Sequence, residues 1–170
     1  MEKETQKKSL LRDILEVLIA VALITFVLVK FVLIPVQVDG SSMVPTLVDT
    51  DRGYSFILAK AFGIKRFDIC VIDVGEGKLL VKRLIGLPGE ALEFKEDHLY
   101  VNGEVLEEDF LGEDVHTEDF SITLGEDEYF FMGDNRSHSR DSRYYGPFHK
   151  EDIKASHVFI LFPFDRMGFR

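Results

Sequence analysis

The sequence predicts a mainly β domain behind a single N-terminal transmembrane helix, and two observations lead to this prediction. A long apolar segment lies near the N-terminus, and the chain beyond it consists of short runs rich in Val, Ile, Leu and Phe, separated by turn residues. At 170 residues, 46% of them hydrophobic, the chain can form one modest domain in addition to an anchor. We expect a polar tail over residues 1–13, an anchor over residues 14–34 and an all-β domain over residues 35–170.

The apolar segment is long enough to cross a membrane. As a helix, its 21 residues from 14 to 34 span about 31 Å at roughly 1.5 Å per residue, close to the roughly 30 Å of a bilayer core. Glu16 and Lys30 interrupt the segment, but each lies near one end, where a charged group can reach the membrane interface. Pro35 is expected to end the helix.

The tail ahead of this segment predicts its orientation. Its basic residues are Lys3, Lys7, Lys8 and Arg12. Basic residues favour the cytoplasmic side of a membrane, which predicts a cytoplasmic N-terminus and an extracytoplasmic domain. A cleavable signal peptide would have a shorter apolar core followed by small residues at alternate positions, and the only such pair is Val38 and Gly40. A buried core helix fits less well, because the apolar residues run all round the helix.

Short alternating or apolar runs between turn residues predict nine strands. They cover residues 54–58, 68–74, 78–85, 91–94, 98–101, 104–106, 121–124, 129–132 and 157–162. The clearest hairpin contains Asn102-Gly103, which suits a two-residue turn between paired strands. Residues 107–120 are acidic and weakly patterned, and we expect a solvated surface loop there.

Charge and residue types exclude several classes of function. The 30 acidic and 20 basic residues give a net charge of -10, which argues against nucleic acid as a partner, because phosphate contacts need clustered Lys and Arg. Cys70 is the only cysteine, so no intramolecular disulfide can form, and its apolar setting predicts a buried hydrophobe. The five histidines include no metal-ligand pair at helical spacing. We expect neither a metal nor another cofactor.

Two residues are candidates for nucleophilic catalysis. Ser42 lies in an irregular loop just beyond the apolar segment, and a serine hydroxyl needs a base within hydrogen-bond reach to attack at neutral pH. Lys82 lies among aliphatic residues, where loss of hydration can turn its ammonium into a free amine. Side chains alternate along a strand, so Leu80 and Leu84 share the face of Lys82, and Arg83 points the other way. Taken singly, Ser42 also suits a turn cap, and Lys82 a strand edge that reaches solvent.

A third stretch completes a set of three sequence boxes. They read Asp-Gly-Ser-Ser-Met-Val-Pro-Thr-Leu from residue 39, Lys-Arg-Leu-Ile-Gly-Leu-Pro-Gly-Glu from residue 82 and Gly-Asp-Asn-Arg-Ser-His-Ser-Arg-Asp-Ser-Arg from residue 133. In content and order they resemble the boxes of bacterial type I signal peptidases. The resemblance implies an all-β catalytic domain that acts as a serine endopeptidase and removes signal peptides from exported preproteins.

The resemblance also implies roles for individual residues. Ser42 is the nucleophile, and Lys82 is the base that takes its proton and later passes it to the leaving amine. Ser139 hydrogen-bonds the lysine amine and orients it, while Asp141 and Arg143 brace the surrounding loop. Six apolar residues match positions that line a cleft favouring small residues at the first and third positions before the cut: Val36, Val38, Met43, Leu47, Leu80 and Val81.

One departure from the family pattern concerns the oxyanion. Many relatives carry Ser or Thr two residues before the nucleophile, and its hydroxyl helps to hold the developing negative charge. Gly40 takes that place in this chain. Backbone N–H groups near Ser42 would then have to suffice.

Two alternative functions stay open at this point. One is a self-cleaving repressor-like peptidase with the same dyad, which predicts a DNA-binding module where this chain has its apolar segment. The other is a non-catalytic, membrane-tethered module that binds signal sequences, which the presence of both Ser42 and Lys82 disfavours. The partners implied are signal peptides and the lipid bilayer, and the oligomeric state is not predicted.

Overall fold

The computed structural model describes residues 2–112 and 115–170, apart from the side chains of residues 2–11 and 60–62. It begins with one long helix, α1 (Glu2–Val32), whose part from Arg12 to Val32 is apolar and long enough to cross a membrane. The apolar side chains of this part are exposed, as expected of a helix surrounded by lipid. The helix ends two residues before the predicted end of the anchor.

The chain leaves the helix before Pro35 and not at it. Leu33 and Ile34, which we had expected in the anchor, open the strand β1 (Leu33–Gln37), and Pro35 lies inside that strand. Proline has no N–H to donate to a ladder. The strand tolerates it because β1 lies at the edge of a sheet and, among the described strands, pairs with β2 (Arg52–Phe56) alone.

The described residues after the helix form two antiparallel sheets. After β1 and β2 come β3 (Ile69–Asp73), β4 (Leu79–Gly86), β5 (Ala91–Lys95), β6 (His98–Val101), β7 (Glu104–Leu106), β8 (Phe120–Thr123), β9 (Glu128–Met132), the short helix α2 (Ser142–Tyr145), β10 (Phe148–His149), β11 (Ile153–Phe162) and β12 (Gly168–Phe169). The larger sheet has the order β1-β2-β11-β3-β4-β9-β10, with β12 paired to β11, and the smaller has the order β7-β6-β5-β8. The predicted fold class, a mainly β domain behind an apolar helix, is confirmed.

Three buried apolar clusters hold the sheets together. The first spans β1, β3 and β11, the second joins β4 and β9 to the smaller sheet, and the third includes Cys70, which is a buried hydrophobe as predicted. Strand β4 contributes to all three, through Val81, Ile85 and Leu84 respectively. Burial of apolar surface is the main stabilising contribution in such a core. The strand that carries Lys82 is therefore held firmly on both faces.

Eight of the nine predicted strands agree with the observed ends to within two residues. The exception is β11, which begins at Ile153, four residues before the predicted start. His157 has a positive φ of 60°, and the pairing of β11 with β2 shifts register there, which marks a bulge that interrupts the alternation. The sequence also does not predict β1, β10 or β12, because short edge strands depend on the neighbours with which they pair.

Residues 113 and 114 of the acidic segment 107–120 lie outside the described residues. The described part of the segment is mostly a loop, but it is not solvated throughout. Glu108 forms an ion pair with the buried Arg136. Phe110 packs edge-on against a second phenylalanine ring, and Thr117 is buried. The expectation of a solvated loop is wrong at these positions, because an arginine far along the chain supplies the partner that the carboxylate needs.

Candidate active site

Residues 38–51, between β1 and β2, form the Ser42 loop. The N–H of Leu47 donates to the carbonyl of Met43 at 2.9 Å, which closes a turn just after Ser42. Met43 and Leu47 are 2% and 0% exposed and belong to the first apolar cluster. These two anchors hold the loop on the core and leave Ser42 partly exposed.

The structure brings Lys82 to Ser42, although the two residues are 40 positions apart in the chain. Lys82 Nζ lies 2.5 Å from Ser42 Oγ. Lys82 is only 3% exposed. Its neighbours Val81 and Leu84 pack into different clusters, as strand alternation predicts. A hydroxyl and an amine at this distance can exchange a proton directly.

Burial changes the acidity of the lysine. It lowers the pKa of the Lys82 amine from 10.5 to about 8, because the ammonium form loses its hydration. The carboxylates of Asp141 and Asp134 work in the opposite direction, and the guanidinium of Arg143 adds to the lowering. A substantial fraction of the amine is therefore neutral at mildly alkaline pH and can act as a base.

The turn after β9 holds the Ser42 loop by its backbone. The N–H of Asn135 donates to the carbonyl of Ser42, and its Nδ2 donates to the carbonyl of Ser41, both at 3.1 Å. Gly133 lies so close to the Ser42 carbonyl that a Cβ would overlap it. Its place in the third box predicts for Asn135 only a polar turn residue that holds the site and does no chemistry, without naming its partners.

Arg83, the neighbour of Lys82, has its charge compensated elsewhere. Its Nε and Nη2 donate to the two carboxylate oxygens of Asp134 at 2.8 and 2.6 Å. Its Nη2 also donates to Thr46 Oγ1 at 3.1 Å. Two-pronged contacts of this kind are the strong form of an arginine–carboxylate pair. The pair links β4, the Ser42 loop and the turn after β9 without placing a second positive charge beside the lysine amine.

Asp141 and Arg143 form an ion pair within the third box. Nε and Nη2 of Arg143 donate to the carboxylate of Asp141 at 2.9 and 2.8 Å, and the N–H of Gly133 donates to it at 2.9 Å. Burial alone raises the pKa of the Asp141 carboxyl, but the hydrogen bonds and charge of Arg143 outweigh it, so that the pKa is lowered. Asp141 therefore stays ionised and holds the turn that contacts Ser42.

Ser139 does not make the hydrogen bond that was predicted for it. Within the described part of the chain, its buried Oγ has no hydrogen-bond partner at normal distance, whereas Lys82 Nζ contacts Ser42. Ser139 lies near enough to Asp141 to make a minor contribution to the lowered pKa of that carboxyl. It also lies against Gly133. Its hydroxyl is thus next to the site but does not orient the amine in this structure.

Two of the six predicted cleft residues cannot line a cleft in this structure. Met43 and Leu47 are core residues beneath the Ser42 loop, because a short loop needs apolar anchors to keep its shape. The others retain some exposed surface: Val36 and Val38 are buried except for a small fraction, and Leu80 and Val81 are half-buried.

Gly40 adopts a backbone conformation that suits glycine. Its φ is 91°, its N–H donates to Asp49 Oδ1 at 3.1 Å, and no atom of the described residues lies within 4 Å of an added Cβ. Glycine offers no side-chain donor for an oxyanion. Across residues 2–112 and 115–170, the N–H of Ser42 makes no hydrogen bond. This N–H is a candidate donor to the oxyanion that forms on the substrate's carbonyl oxygen when Ser42 Oγ attacks.

The chain is similar to known proteins over nearly its whole length. A family model described as signal peptidase, peptidase S26, matches residues 11–162. Signal peptidase I P of Bacillus subtilis subsp. natto is 39% identical over 179 residues, covering 98% of this chain and 97% of the relative. Signal peptidase IB of Staphylococcus aureus is 31% identical over 182 residues, covering 96% and 95%. A crystal structure of a signal peptidase I from Enterococcus faecalis is 36% identical, with a TM-score of 0.50, and covers 55% of this chain and 95% of that chain.

Proposed function

This chain belongs to the signal peptidase family, peptidase S26, and is a serine endopeptidase that removes signal peptides from preproteins; we propose that Ser42 is its nucleophile and Lys82 its general base. The family expected from the three sequence boxes is confirmed. The observation that carries the proposal is the 2.5 Å contact between Lys82 Nζ and Ser42 Oγ. The repressor-like and non-catalytic alternatives are not favoured, because relatives that match nearly the whole chain are signal peptidases.

The reaction follows from the two groups. The neutral amine of Lys82 accepts the hydroxyl proton of Ser42 as Oγ attacks the scissile carbonyl carbon. The carbonyl oxygen becomes an oxyanion, to which the N–H of Ser42 donates. The Lys82 ammonium then gives its proton to the leaving amine, which releases the mature protein and leaves an ester on Ser42. Water attacks this ester with Lys82 again as base, and proton return from Lys82 to Oγ releases the signal peptide.

Burial is what makes a lysine useful as this base. With an ordinary pKa near 10.4, on the order of one amine in a thousand is neutral at pH 7.4. With the pKa lowered to about 8, roughly one in five is neutral, a gain of about two hundredfold in active base. Ser139, Asp141 and Arg143 support this arrangement by shaping the polar turn beside the amine.

The residues of the substrate that precede the scissile bond have to find a binding surface beside the dyad. We expect the residues before the cut to meet an apolar surface formed by Val36, Val38, Leu80 and Val81, each of which keeps some exposed area. Such walls favour small apolar side chains at the first and third positions before the scissile bond. The specific preference for Ala-x-Ala is an expectation from the family.

We further propose that α1 anchors the protein in the membrane, with residues 1–13 cytoplasmic and the β domain outside. The exposed apolar helix from Arg12 to Val32 supports the anchor. Val32 also borders a hollow of about 450 Å³, beside which Leu58 and Phe169 expose much of their side chains. An apolar rim at the end of a membrane span suits contact with the bilayer surface.

Cleavage of a preprotein by the detergent-solubilised protein, with N-terminal sequencing of the product, tests the dyad. Ser42→Ala and Lys82→Ala should each abolish cleavage and leave a folded domain, because each removes one half of the proton-transfer pair. Lys82→Arg should also fail, since a guanidinium stays protonated. The exposed residues Ser121 and Lys95 provide matched controls, whose alanine variants should cleave normally. Normal turnover by Ser42→Ala, free of contaminating peptidase, would refute the assignment.

Protease added outside sealed spheroplasts tests the orientation. It should digest residues 36–170 and spare the N-terminal tail, which carries Lys3, Lys7, Lys8 and Arg12. The membrane-bound protein should still contain residues 14–34, because we propose that the anchor is not removed. Protection of the β domain would reverse the orientation, and a chain that begins near Ser41 would show that the anchor is cleaved.

A further inference from the structure

We propose that Arg166, in the segment between β11 and β12, is a positioning residue for peptide cleavage. It acts by holding the Ser42 loop through Asp51 and Thr46. The inference rests on the proposed role of Ser42 as nucleophile. Arg166 lies beyond residues 11–162, which the family model matches, and the three sequence boxes gave no signal for it.

The guanidinium of Arg166 makes three hydrogen bonds to the Ser42 loop. Nε donates to Asp51 Oδ1 at 2.8 Å, and Nη2 donates to Asp51 Oδ2 at 3.0 Å. Nη2 also donates to the backbone carbonyl of Thr46 at 3.1 Å. Asp51 is 0% exposed, so its charge depends on this arginine for compensation. The contact joins residues 115 and 120 positions apart.

Asp51 in turn accepts hydrogen bonds from the backbone of the Ser42 loop. Its Oδ2 accepts the N–H of Val48 at 3.0 Å, and its carbonyl accepts the N–H of Val38 at 2.9 Å. Burial alone raises the pKa of the Asp51 carboxyl, but the hydrogen bonds of Arg166 and Val48 outweigh it and the pKa is lowered. Asp51 is therefore ionised, and it holds the two ends of the Ser42 loop together.

Thr46 connects the Arg166 contact to the part of the loop that carries Ser42. Its carbonyl accepts from Arg166, and its Oγ1 accepts from Arg83 at 3.1 Å. Asn135 holds the carbonyls of Ser41 and Ser42 on the other side of the same turn. The segment from Ser42 to Thr46 is thus fixed at both ends. Loss of the Arg166 contact would release the Thr46 end of this segment and let Ser42 Oγ move relative to Lys82 Nζ.

Arg166 is itself held in place before it meets the loop. Its N–H donates to the carbonyl of Pro163 at 3.0 Å, and its carbonyl accepts from Arg170 Nη2 at 2.6 Å. The N–H of Arg170 donates to the carbonyl of Val158 in β11 at 2.9 Å. The guanidinium is planar and offers several donors in a fixed geometry, which a lysine ammonium cannot reproduce. A lysine could therefore pair with Asp51 but not hold all three contacts.

Steady-state cleavage by the solubilised full chain tests the proposal. Arg166→Ala should lower kcat by about tenfold or more, because a displacement of order 1 Å in reacting groups has effects of this size. KM should stay within about threefold, since Arg166 contacts no substrate, and the rising limb of the pH profile should stay near pH 8, since the burial of Lys82 is unchanged. Arg166→Lys should fold and lose a smaller part of kcat. Arg52→Ala, at an exposed arginine next to Asp51, is the matched control and should be normal.

A double variant separates positioning from simple charge compensation. Arg166→Ala leaves the buried carboxylate of Asp51 unpaired, which lowers the melting temperature whatever its effect on catalysis. Adding Asp51→Asn removes that charge and should restore much of the melting temperature but not kcat. Recovery of kcat together with stability would overturn the proposal, as would normal kcat in the folded Arg166→Lys and Arg166→Ala variants. If Arg166→Ala does not fold, the kcat of Arg166→Lys by itself tests the proposal. An active Ser42→Ala protein would instead refute the underlying dyad.

Discussion

Replacement of Gly133 by alanine should disable the enzyme without unfolding it. Gly133 lies in the turn after β9, packed against the carbonyl oxygen of Ser42 and the side chain of Ser139. A Cβ at this position would overlap both oxygen atoms and approach Ser139 Cβ to 2.6 Å, whereas ordinary contacts of this kind begin at 3.4 Å. The Ser139 side chain must therefore move by at least about 0.8 Å, and the Ser42 carbonyl by about 1 Å, to relieve the overlap.

The size of the effect follows from this displacement. Ser139 can rotate, but the Ser42 carbonyl is backbone and carries its side chain with it, so Oγ moves relative to Lys82 Nζ. A misplacement of about 1 Å can cost about a hundredfold in rate, which equals about 2.7 kcal/mol of barrier. Overpacking a buried site costs about 1–3 kcal/mol of stability, which a domain of this size can absorb.

The assay pairs cleavage of a preprotein with thermal denaturation followed by circular dichroism. The matched control is Gly112→Ala, because an added Cβ there would meet neighbouring atoms only at 3.7 Å or more. The control should keep both activity and melting temperature. Wild-type turnover by a folded Gly133→Ala protein would contradict this prediction, because the Ser42 carbonyl could then not lie against Gly133.

Three further predictions address the pKa of the base, the oxyanion and the acidic loop. The rate should rise with pH with a midpoint near 8, the pKa of Lys82, because the neutral amine is the active form; about one tenth is neutral at pH 7 and nine tenths at pH 9. A flat profile between pH 6 and 10, with chemistry limiting, would contradict a lysine base. Gly40→Ser should change turnover by between a mild loss and a roughly tenfold gain. The serine Cβ has free space, but the φ of 91° at this position costs about 1–2 kcal/mol of stability for a residue other than glycine. Inactivation with the fold intact would mean that the backbone at position 40 requires glycine. Glu108→Ala should lower the free energy of unfolding by about 3–5 kcal/mol, because it leaves the guanidinium of Arg136 buried without its carboxylate partner. Glu107→Ala, at an exposed residue, is the control and should have little effect. Equal melting curves for the two variants would show that the ion pair does not contribute to stability.

Features that depend on residues near one another in the chain follow from the sequence alone. The apolar segment predicted α1, since a long apolar run can satisfy its backbone as a helix whatever follows. Asn102-Gly103 predicted its hairpin, and both residues have the positive φ, 52° and 86°, that such a turn requires. The three boxes identified Ser42 and Lys82 by resemblance, before any distance between them was known.

Features that depend on burial or on partners distant in the chain emerge only in the folded structure. The lowered pKa of Lys82 arises from burial by the elements that pack around β4. The residues next to Lys82 in the chain do not specify how deeply it is buried. Met43 and Leu47 are core anchors, although their place beside the nucleophile suggested a cleft. Arg166 meets Asp51 across 115 positions, and neither residue type marks such a pairing in advance. The free energy of each of these groups is set by what surrounds it in space, which only the folded chain specifies.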